Sequence, residues 1–172
     1  SDERNLNLNT NGAANVDSGG VYYNSTDPTS SVFSLGTNIG YNKASDTYIA
    51  YLFAPIKGYS KFGSYVGNGN NDGPFIYTGF KPALIWCRGV ESNREWIAHD
   101  NKRDTFNCID GIVYLNTDDA NGTGTDKVDF LSNGFKYRED GNNENASGET
   151  YLYAAFAESP FVNSNGLPTT AR

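Results

Sequence analysis

Apolar and aromatic residues occur in short runs along the chain, and the runs are separated by turns rich in Gly, Asn, Ser and Asp. Runs of roughly four to eight residues bounded by such turns are typical of β-strands. Two runs, residues 47–54 and 150–157, are apolar at odd and even positions alike, which predicts strands covered on both faces. Further strands are predicted at 63–65, 74–80, 83–88, 94–99 and 111–115. Because no window of about ten residues has helical periodicity, the pattern predicts an all-β protein.

The composition supports the same fold class. The chain of 172 residues has 12 Tyr, 10 Phe and 2 Trp for pleated surfaces, and 22 Asn and 19 Gly for turns. So many aromatic residues argue against disorder, and a helical bundle would be richer in Ala, Leu, Glu, Lys and Arg. Residues 67–73, which alternate Gly with Asn and end in Asp-Gly, are predicted to be a loop. We therefore expect an antiparallel β-sandwich or a jelly-roll-like fold.

One part of the sequence occurs twice. Leu8-Asn9-Thr10 recurs as Leu115-Asn116-Thr117, and Val21-Tyr22-Tyr23 recurs at the same spacing as Val128-Asp129-Phe130. After a four-residue deletion, residues 47–54 align with residues 150–157, and a similar turn precedes each run. We call residues 5–57 the first copy, residues 112–160 the second copy, and residues 58–111 the middle segment. The segments follow one another as first copy, middle segment and second copy, which indicates an internal duplication.

The duplication predicts the domain organisation. If the natural unit is a middle segment followed by a copy, residues 1–57 are the second half of one unit, residues 58–160 are a complete β-sandwich unit, and residues 161–172 are a C-terminal tail. The alternative is a single sandwich whose two sheets are built by the two copies. The chain contains no Met, which predicts that it is a processed or excised piece of something longer.

Charge and hydropathy narrow the classes of partner. A net charge of −7 and a pI near 4.6 argue against nucleic acid, which is bound through clustered cations. No apolar run approaches the ~20 residues that cross a bilayer, so no membrane insertion is expected. The two cysteines, Cys87 and Cys108, permit one disulfide at most, and the sequence leaves open whether it forms.

The sequence predicts no catalytic site. His99 is the single histidine, no nucleophile motif accompanies it, and one His with two Cys gives no zinc pattern. Acidic residues in turns are weak candidates for calcium ligands, or for the acid and base of a glycosidase. The calcium candidates are Asp100, Asp104, Asp118 and Asp119.

Aromatic and amide residues near the Gly-rich loop are the better candidates for ligand binding. Sugar rings stack on Trp or Tyr, and sugar hydroxyls bind the side chains of Asn and Asp. The predicted ligand-binding residues are Tyr65, Asn68, Asn70, Asp72 and Trp96. The alternative for the tryptophans is that they fill the core.

Several stretches together resemble a known repeat. They are residues 58–69, 72–83, 131–135, 145–151, 155–161 and 167–172. The chain resembles the tandem β-rich domains at the distal ends of bacteriophage tail proteins, particularly those of phages of marine bacteria. The family's biochemistry is poorly defined, so the resemblance carries no catalytic residues over to this chain.

The resemblance implies a module of a virion appendage, located on the virion and outside the cell. Such proteins are usually homo-oligomers, often trimers, and meet a host surface polysaccharide or lipopolysaccharide. The expected function is therefore non-enzymatic host attachment by a tail fibre. Two alternatives stay open: a structural spacer or decoration repeat of a virion or extracellular filament, and a glycan depolymerase using carboxylates such as Asp100 and Asp118.

Overall fold

The computed structural model describes residues 4–160, apart from the side chain of Thr125. The predicted tail, residues 161–172, lies outside these residues. The described chain divides into two units, one made of residues 4–7 and 14–53 and the other of residues 8–13 and 54–160. The first unit contains two short strands, β1 (Arg4–Asn5) and β2 (Asn15–Val16), and a short helix, α1 (Ile39–Asn42).

The second unit holds most of the regular structure. Its described strands and helix are β3 (Ser60–Val66), β4 (Phe75–Tyr77), β5 (Pro82–Gly89), β6 (Ile97–Asp100), β7 (Ile109–Tyr114), β8 (Gly122–Leu131), β9 (Gly134–Tyr137), α2 (Asn142–Asn145) and β10 (Thr150–Ala157). The strands form one sheet in the order β3-β10-β5-β6-β7-β8-β9-β4, and every pairing is antiparallel. The predicted all-β, antiparallel class is confirmed.

The sheet curls until its two edge strands come close. Strands β5 to β9 are neighbours in chain order, whereas β10 lies between β3 and β5. At the edges, Lys61 of β3 donates a hydrogen bond to the carbonyl of Tyr77 of β4 over 2.7 Å. The result is a nearly closed barrel.

Aromatic residues fill the inside of the barrel. Tyr151 of β10 is fully buried and stacks on Tyr65 of β3, with ring centroids 5.2 Å apart and planes 11° apart. Phe135 and Tyr137 of β9 are also fully buried and pack edge to face. Stacked and edge-to-face pairs add stability beyond the apolar area that they bury. Part of the Tyr and Phe content of the sequence therefore serves the core of the second unit, while other rings, such as those of Tyr51 and Tyr77, are exposed.

The prediction for residues 47–54 is wrong, while the prediction for residues 150–157 is confirmed. In the described chain, residues 47–54 form no strand, and Ile49, Tyr51 and Leu52 are 79%, 80% and 75% exposed. Residues 150–157 are β10, with a strand on each side. An apolar run needs neighbouring strands to satisfy its backbone groups and cover its faces, and only the second run has them.

The two copies nevertheless share local structure where the sequence alignment pairs them. In β1 and β2, Arg4 pairs with Val16 and Asn5 with Asn15. The aligned positions in β7 and β8 pair in the same register, Gly111 with Thr123 and Ile112 with Gly122. Helices α1 and α2 also occupy aligned positions. The duplication seen in the sequence is therefore present in the backbone.

Side-chain hydrogen bonds are repeated as well. The hydroxyl of Tyr48 donates to Ile39 O (3.1 Å) and accepts from Lys43 N (3.1 Å). The hydroxyl of Tyr151 makes the same two bonds, to Asn142 O (2.6 Å) and from Ala146 N (2.9 Å). Each tyrosine fixes the turn between a short helix and the following apolar run.

The remaining sequence questions concern the thiols and the membrane. Cys87 and Cys108 are both free thiols, so the structure contains no bridge between them. Among the described residues, no helix has both the length and the apolar character required to span a bilayer.

Candidate functional site

The loop between β3 and β4, residues 67–73, has a conformation fixed by its own side chains. Asn68 Nδ2 donates to Asp72 O over 2.9 Å, and Asn68 Oδ1 accepts from Asn70 N over 3.1 Å. Asn70 Oδ1 in turn accepts from Asp72 N over 2.8 Å. Asn and Asp side chains stabilise turns through such local bonds. The loop predicted from its Gly and Asn content is therefore an ordered one.

Asn145, at the end of α2, anchors this loop to the barrel. Its side chain is fully buried. Its Oδ1 accepts from Asn68 N (2.8 Å), and its Nδ2 donates to Asn70 O (2.9 Å) and to Glu139 O (2.7 Å). A buried amide with its bonds satisfied in this way holds its neighbours in one arrangement.

The backbone of the loop passes too close to α2 for side chains at two positions. A Cβ at Gly67 would lie 2.2 Å from Ala146 O. Gly69 has φ = 62°, and a Cβ there would lie 2.9 Å from the Cβ of Ser147. Gly is required at both positions, because only Gly permits this approach.

Strand β4, which follows the loop, presents two aromatic rings to solvent. Phe75 is 46% exposed and Tyr77 is 58% exposed, while Ile76 between them is buried. Alternate residues of a strand point to one face, so the two rings lie on the same outer surface. The ring of Phe75 rests over Gly134, where a Cβ would come within 2.9 Å of it.

Two lysines flank these rings. Lys61 Nζ lies 5.1 Å from the centroid of Tyr77, and Lys136 Nζ pairs with the carboxylate of Asp72 over 2.8 Å and donates to Gly73 O over 2.6 Å. The hydrogen bond and the charge of Lys136 lower the pKa of Asp72. The loop and the outer face of β4, which we call the β4 face, thus bring together aromatic rings, ammonium groups, amides and a carboxylate.

Three of the five predicted ligand-binding residues lie at this site. Asn68, Asn70 and Asp72 are exposed in the loop. Tyr65 is buried, and its hydroxyl donates to Glu144 O over 2.7 Å. Its ring belongs to the core, which corrects the expectation that Tyr65 contacts a ligand at the surface.

Trp96 is half-buried beside Arg88. The guanidinium carbon of Arg88 lies 5.2 Å from the Trp96 ring centroid, and Trp96 N donates to Asn116 Oδ1 over 2.8 Å. Arg88 itself is fully buried and donates to the carbonyls of Thr10 and Gly12. These contacts give the Trp96 ring a structural partner, and its role in ligand binding stays a prediction.

The four calcium candidates are dispersed over turns. Asp100 Oδ1 accepts from the amides of Lys102 and Arg103, and Asp104 accepts from the amides of Asp110 and Gly111. Asp118 and Asp119 are exposed. Among residues 4–160, no group of three or more His, Cys, Asp or Glu side chains is placed to hold a metal ion. Asp100 and Asp104 stabilise the turns that follow them, and calcium binding by any of the four stays a prediction.

The second surface feature is a groove at the other end of the sheet. It has a volume of about 340 Å³, and Phe106, which is exposed, lines it together with Lys102, Asn107 and Ile109. Of the two phenylalanines that line it, Phe106 is exposed and Phe130 is buried, whereas the β4 face has two exposed aromatic rings.

The sequence match identifies a family. The chain belongs to the family described as Domain of unknown function (DUF7483), whose model matches residues 1–160. The matched region contains both copies and the middle segment. No curated protein and no solved structure matches the chain.

The sequence did not predict a buried ion pair in this DUF7483 domain. His99 and Glu144 are both buried; His99 Nδ1 lies 2.8 Å from Gly111 O, and His99 Nε2 contacts the Glu144 carboxylate. Both ring nitrogens of His99 thus face oxygen atoms, an arrangement that suits the imidazolium, in which both nitrogens donate. Burial lowers the pKa of His99, but the Glu144 carboxylate more than offsets it, so that the pKa is raised. Enclosed by the core, the pair has a structural role.

Proposed function

We propose that this chain is a non-enzymatic module of an extracellular appendage, of the kind found at the distal ends of bacteriophage tails, and that its β4 face binds a host-surface glycan. One observation carries the proposal: two exposed aromatic rings lie on the strand that directly follows a fixed, amide-rich loop. The resemblance to phage tail repeats supplies the expected setting.

The chemistry of the β4 face suits a polyhydroxylated ligand. Phe75 and Tyr77 offer apolar ring faces to the C–H faces of sugars. The side-chain NH₂ group of Asn68 has a second N–H for a sugar hydroxyl, beyond the one bonded to Asp72 O, and Asn70 lies exposed beside it. Lys61 supplies positive charge for acidic substituents, whereas the charge of Lys136 is paired with Asp72. Because the loop is already ordered, little conformational entropy is lost when a ligand binds. The site therefore favours a polysaccharide or lipopolysaccharide with acidic groups.

The binding test is a glycan array probed with the full chain, with calcium present and with a chelator. We expect binding to acidic surface polysaccharides without release of product. The variants Phe75→Ala and Tyr77→Ala should each weaken binding at least about tenfold, equivalent to about 1.4 kcal/mol. Loss of binding in the chelator alone would indicate that calcium takes part.

Phe106→Ala is the matched control, because it removes an exposed aromatic ring from the groove and leaves the β4 face intact. Its affinity should equal that of the native chain. No glycan binding at all, or equal losses in Phe106→Ala and Tyr77→Ala, would contradict the proposal. Product release would favour the depolymerase alternative.

A second candidate function is that of a structural repeat in a filament or virion. The observation that favours it is the exposed apolar run at residues 47–54, which resembles strand β10 in sequence although β10 has a strand on each side. A spacer built from repeats would bury that run against a neighbouring unit.

A further inference from the structure

Residues 47–54 carry the side chains of a core strand but lie outside any strand in the described chain. Ile49, Tyr51 and Leu52 are exposed. Soluble proteins seldom leave several adjacent large apolar residues exposed unless the surface has a partner. The aligned run in the second copy shows what kind of partner covers such residues.

In the second copy, both neighbours of the run come from the middle segment. β10 pairs with β3 from Phe156–Ser60 to Thr150–Val66, and with β5 from Phe156–Leu84 to Tyr151–Gly89. Strands β3 and β5 thus form a strand pair with a position for one strand between them. In this chain, β10 occupies that position.

The middle segment also covers the turn before β10. Asn145, in that turn, is buried against Asn68 and Asn70 of the middle segment. The aligned Asn42 is exposed, yet Asn42 Nδ2 donates to Gly36 O over 2.8 Å, as Asn145 does to the aligned Glu139 O. The first copy therefore keeps the internal bonds of this turn and differs in what covers it.

We infer that residues 47–54 are a donor strand for a β3–β5 strand pair other than the one in this chain, that is, for a further middle segment in a neighbouring repeat of the same type. The described chain has one apolar run more than it has β3–β5 strand pairs, so the second strand pair has to come from outside this chain. The region matched by the family contains two copies but one middle segment, and β10 occupies its position. A partner made of antiparallel strands would pair with the backbone of the donor strand, as in strand addition.

The alignment predicts which face of the donor strand is buried. Tyr48, Ala50 and Leu52 align with Tyr151, Tyr153 and Ala155, which point into the barrel and are buried. Ile49 aligns with Leu152, which is 42% exposed. At the second and third inward positions, Ala50–Leu52 replaces Tyr153–Ala155, so a small and a large residue exchange places.

The test is an extended chain in which a second copy of residues 58–110 is joined directly to Arg4. This join reproduces the native one, because Arg4 aligns with Gly111. Hydrogen–deuterium exchange of residues 47–54 is then compared in the native and extended chains. We expect exchange in 47–54 to slow at least about 100-fold in the extended chain, toward the protection of 150–157 in the native chain.

Two single substitutions in the extended chain form a matched pair. Leu52→Asp places a charge at an inward position and should abolish the gain in protection. Ile49→Asp places the same charge at an outward position and should preserve it. The comparison separates strand insertion from a general effect of added chain, and it does not depend on glycan binding.

Four results would overturn the inference. The first three are unchanged exchange in residues 47–54, equal behaviour of the Leu52→Asp and Ile49→Asp variants, and an added segment that stays unfolded. A loss of protection in residues 150–157 as 47–54 gains it would also overturn the inference, because it would show that the two runs compete for one position.

Discussion

The two copies of the duplicated segment have similar local structure and different environments. Each has the same two-strand register, the same short helix and the same tyrosine hydroxyl bridge between helix and run. Among the described residues, only the apolar run of the second copy lies in the barrel sheet, as β10 between β3 and β5. The hydrogen bonds within each copy thus form without the barrel, whereas the apolar run becomes a β-strand only where neighbouring strands pair with it.

The largest difference in stability between matching substitutions in the two copies is expected at the aligned tyrosines. Tyr151→Ala removes a buried ring stacked on Tyr65 and should lower the free energy of unfolding of the second unit by about 4 kcal/mol. Tyr48→Ala removes a ring that is exposed in the first unit and should leave that free energy within about 0.5 kcal/mol. Urea denaturation followed by tryptophan fluorescence reports on this unit, since Trp86 and Trp96 both lie in it. Similar losses of unfolding free energy in the two variants would show that the two tyrosines do not differ in their environments.

The next largest effect is expected at Glu144, which aligns with the uncharged Tyr41. Glu144→Gln leaves His99 buried without its carboxylate and should cost about 3 kcal/mol in the same urea measurement. Gln has nearly the same shape as Glu, so the loss reports the charge. Tyr41→Phe in the first copy is the control and should have little effect on this transition.

The same ion pair predicts how stability depends on pH. Burial raises the pKa of Glu144, but the charge of His99 outweighs it and lowers the pKa to about 2, so its contribution is present above about pH 4.5 and is lost as the pH falls toward 2. The raised pKa of His99 gives a contribution that is present below about pH 6.5 and is lost as the pH rises through the folded-state value. Burial beside Glu144 raises the pKa of Glu139 to about 8, so the contribution of Glu139 is present below about pH 4.5 and is lost as the pH rises toward 8.

The unfolding free energy of the native chain should therefore be highest at about pH 4.5 and fall on both sides, because Glu144 loses its contribution below that pH and Glu139 loses its contribution above it. Glu144→Gln should flatten both slopes. A native profile that rises steadily from pH 6 to pH 9 would show that the pair does not control stability.

A smaller difference in stability is expected between substitutions of the aligned asparagines, Asn145 and Asn42. Asn145→Ala leaves Asn68 N and the carbonyls of Asn70 and Glu139 without their bonds and should cost about 2 kcal/mol. Asn42→Ala removes one exposed bond and should cost about 0.5 kcal/mol or less. Hydrogen exchange of the 67–73 loop is the more direct measurement: it should accelerate in Asn145→Ala and stay unchanged in Asn42→Ala.

The smallest effects concern the turn before each apolar run. Gly148 has φ = 78°, and the aligned Ser45 has φ = 69°. Gly148→Ala should cost about 1 kcal/mol, because a side chain disfavours this conformation. Ser45→Gly should relieve the same strain and slow exchange at the first turn by a few-fold. Faster exchange in Ser45→Gly would show that the serine side chain contributes more than the backbone strain costs.

Part of the candidate site follows from the sequence. The Gly and Asn content of residues 67–73 indicates a loop, and its amides suit a ligand. The sequence does not show that Phe75 and Tyr77 face solvent while Ile76 faces the core, because three apolar residues in a row give no sign of which parity is buried. Tyr65 is predicted to bind ligand because it lies beside the Gly-rich loop, and the sequence does not show that its side chain faces the core. Burial depends on where the barrel places each face.

The contacts that hold the site together also lie beyond local pattern. Asn145 reaches Asn68 and Asn70, and Glu144 reaches His99, across long stretches of chain. Neither residue is distinguished in sequence from the other polar residues of its turn. Partners so far apart in the sequence can be identified only from the pairing of the strands in the folded chain.

The sequence by itself determined the all-β class, most strands of the barrel, the duplication and the turn that precedes each of the two apolar runs. These features depend on short apolar runs, on the Gly and Asn residues of the turns between them, and on hydrogen bonds between residues a few positions apart. The tertiary structure decided which apolar run became a strand, because backbone groups and apolar faces need neighbours that the run itself does not contain. Residues 150–157 have β3 and β5 on either side, and residues 47–54, which share the aligned Thr, Tyr, Phe and Ala with them, do not lie in the sheet.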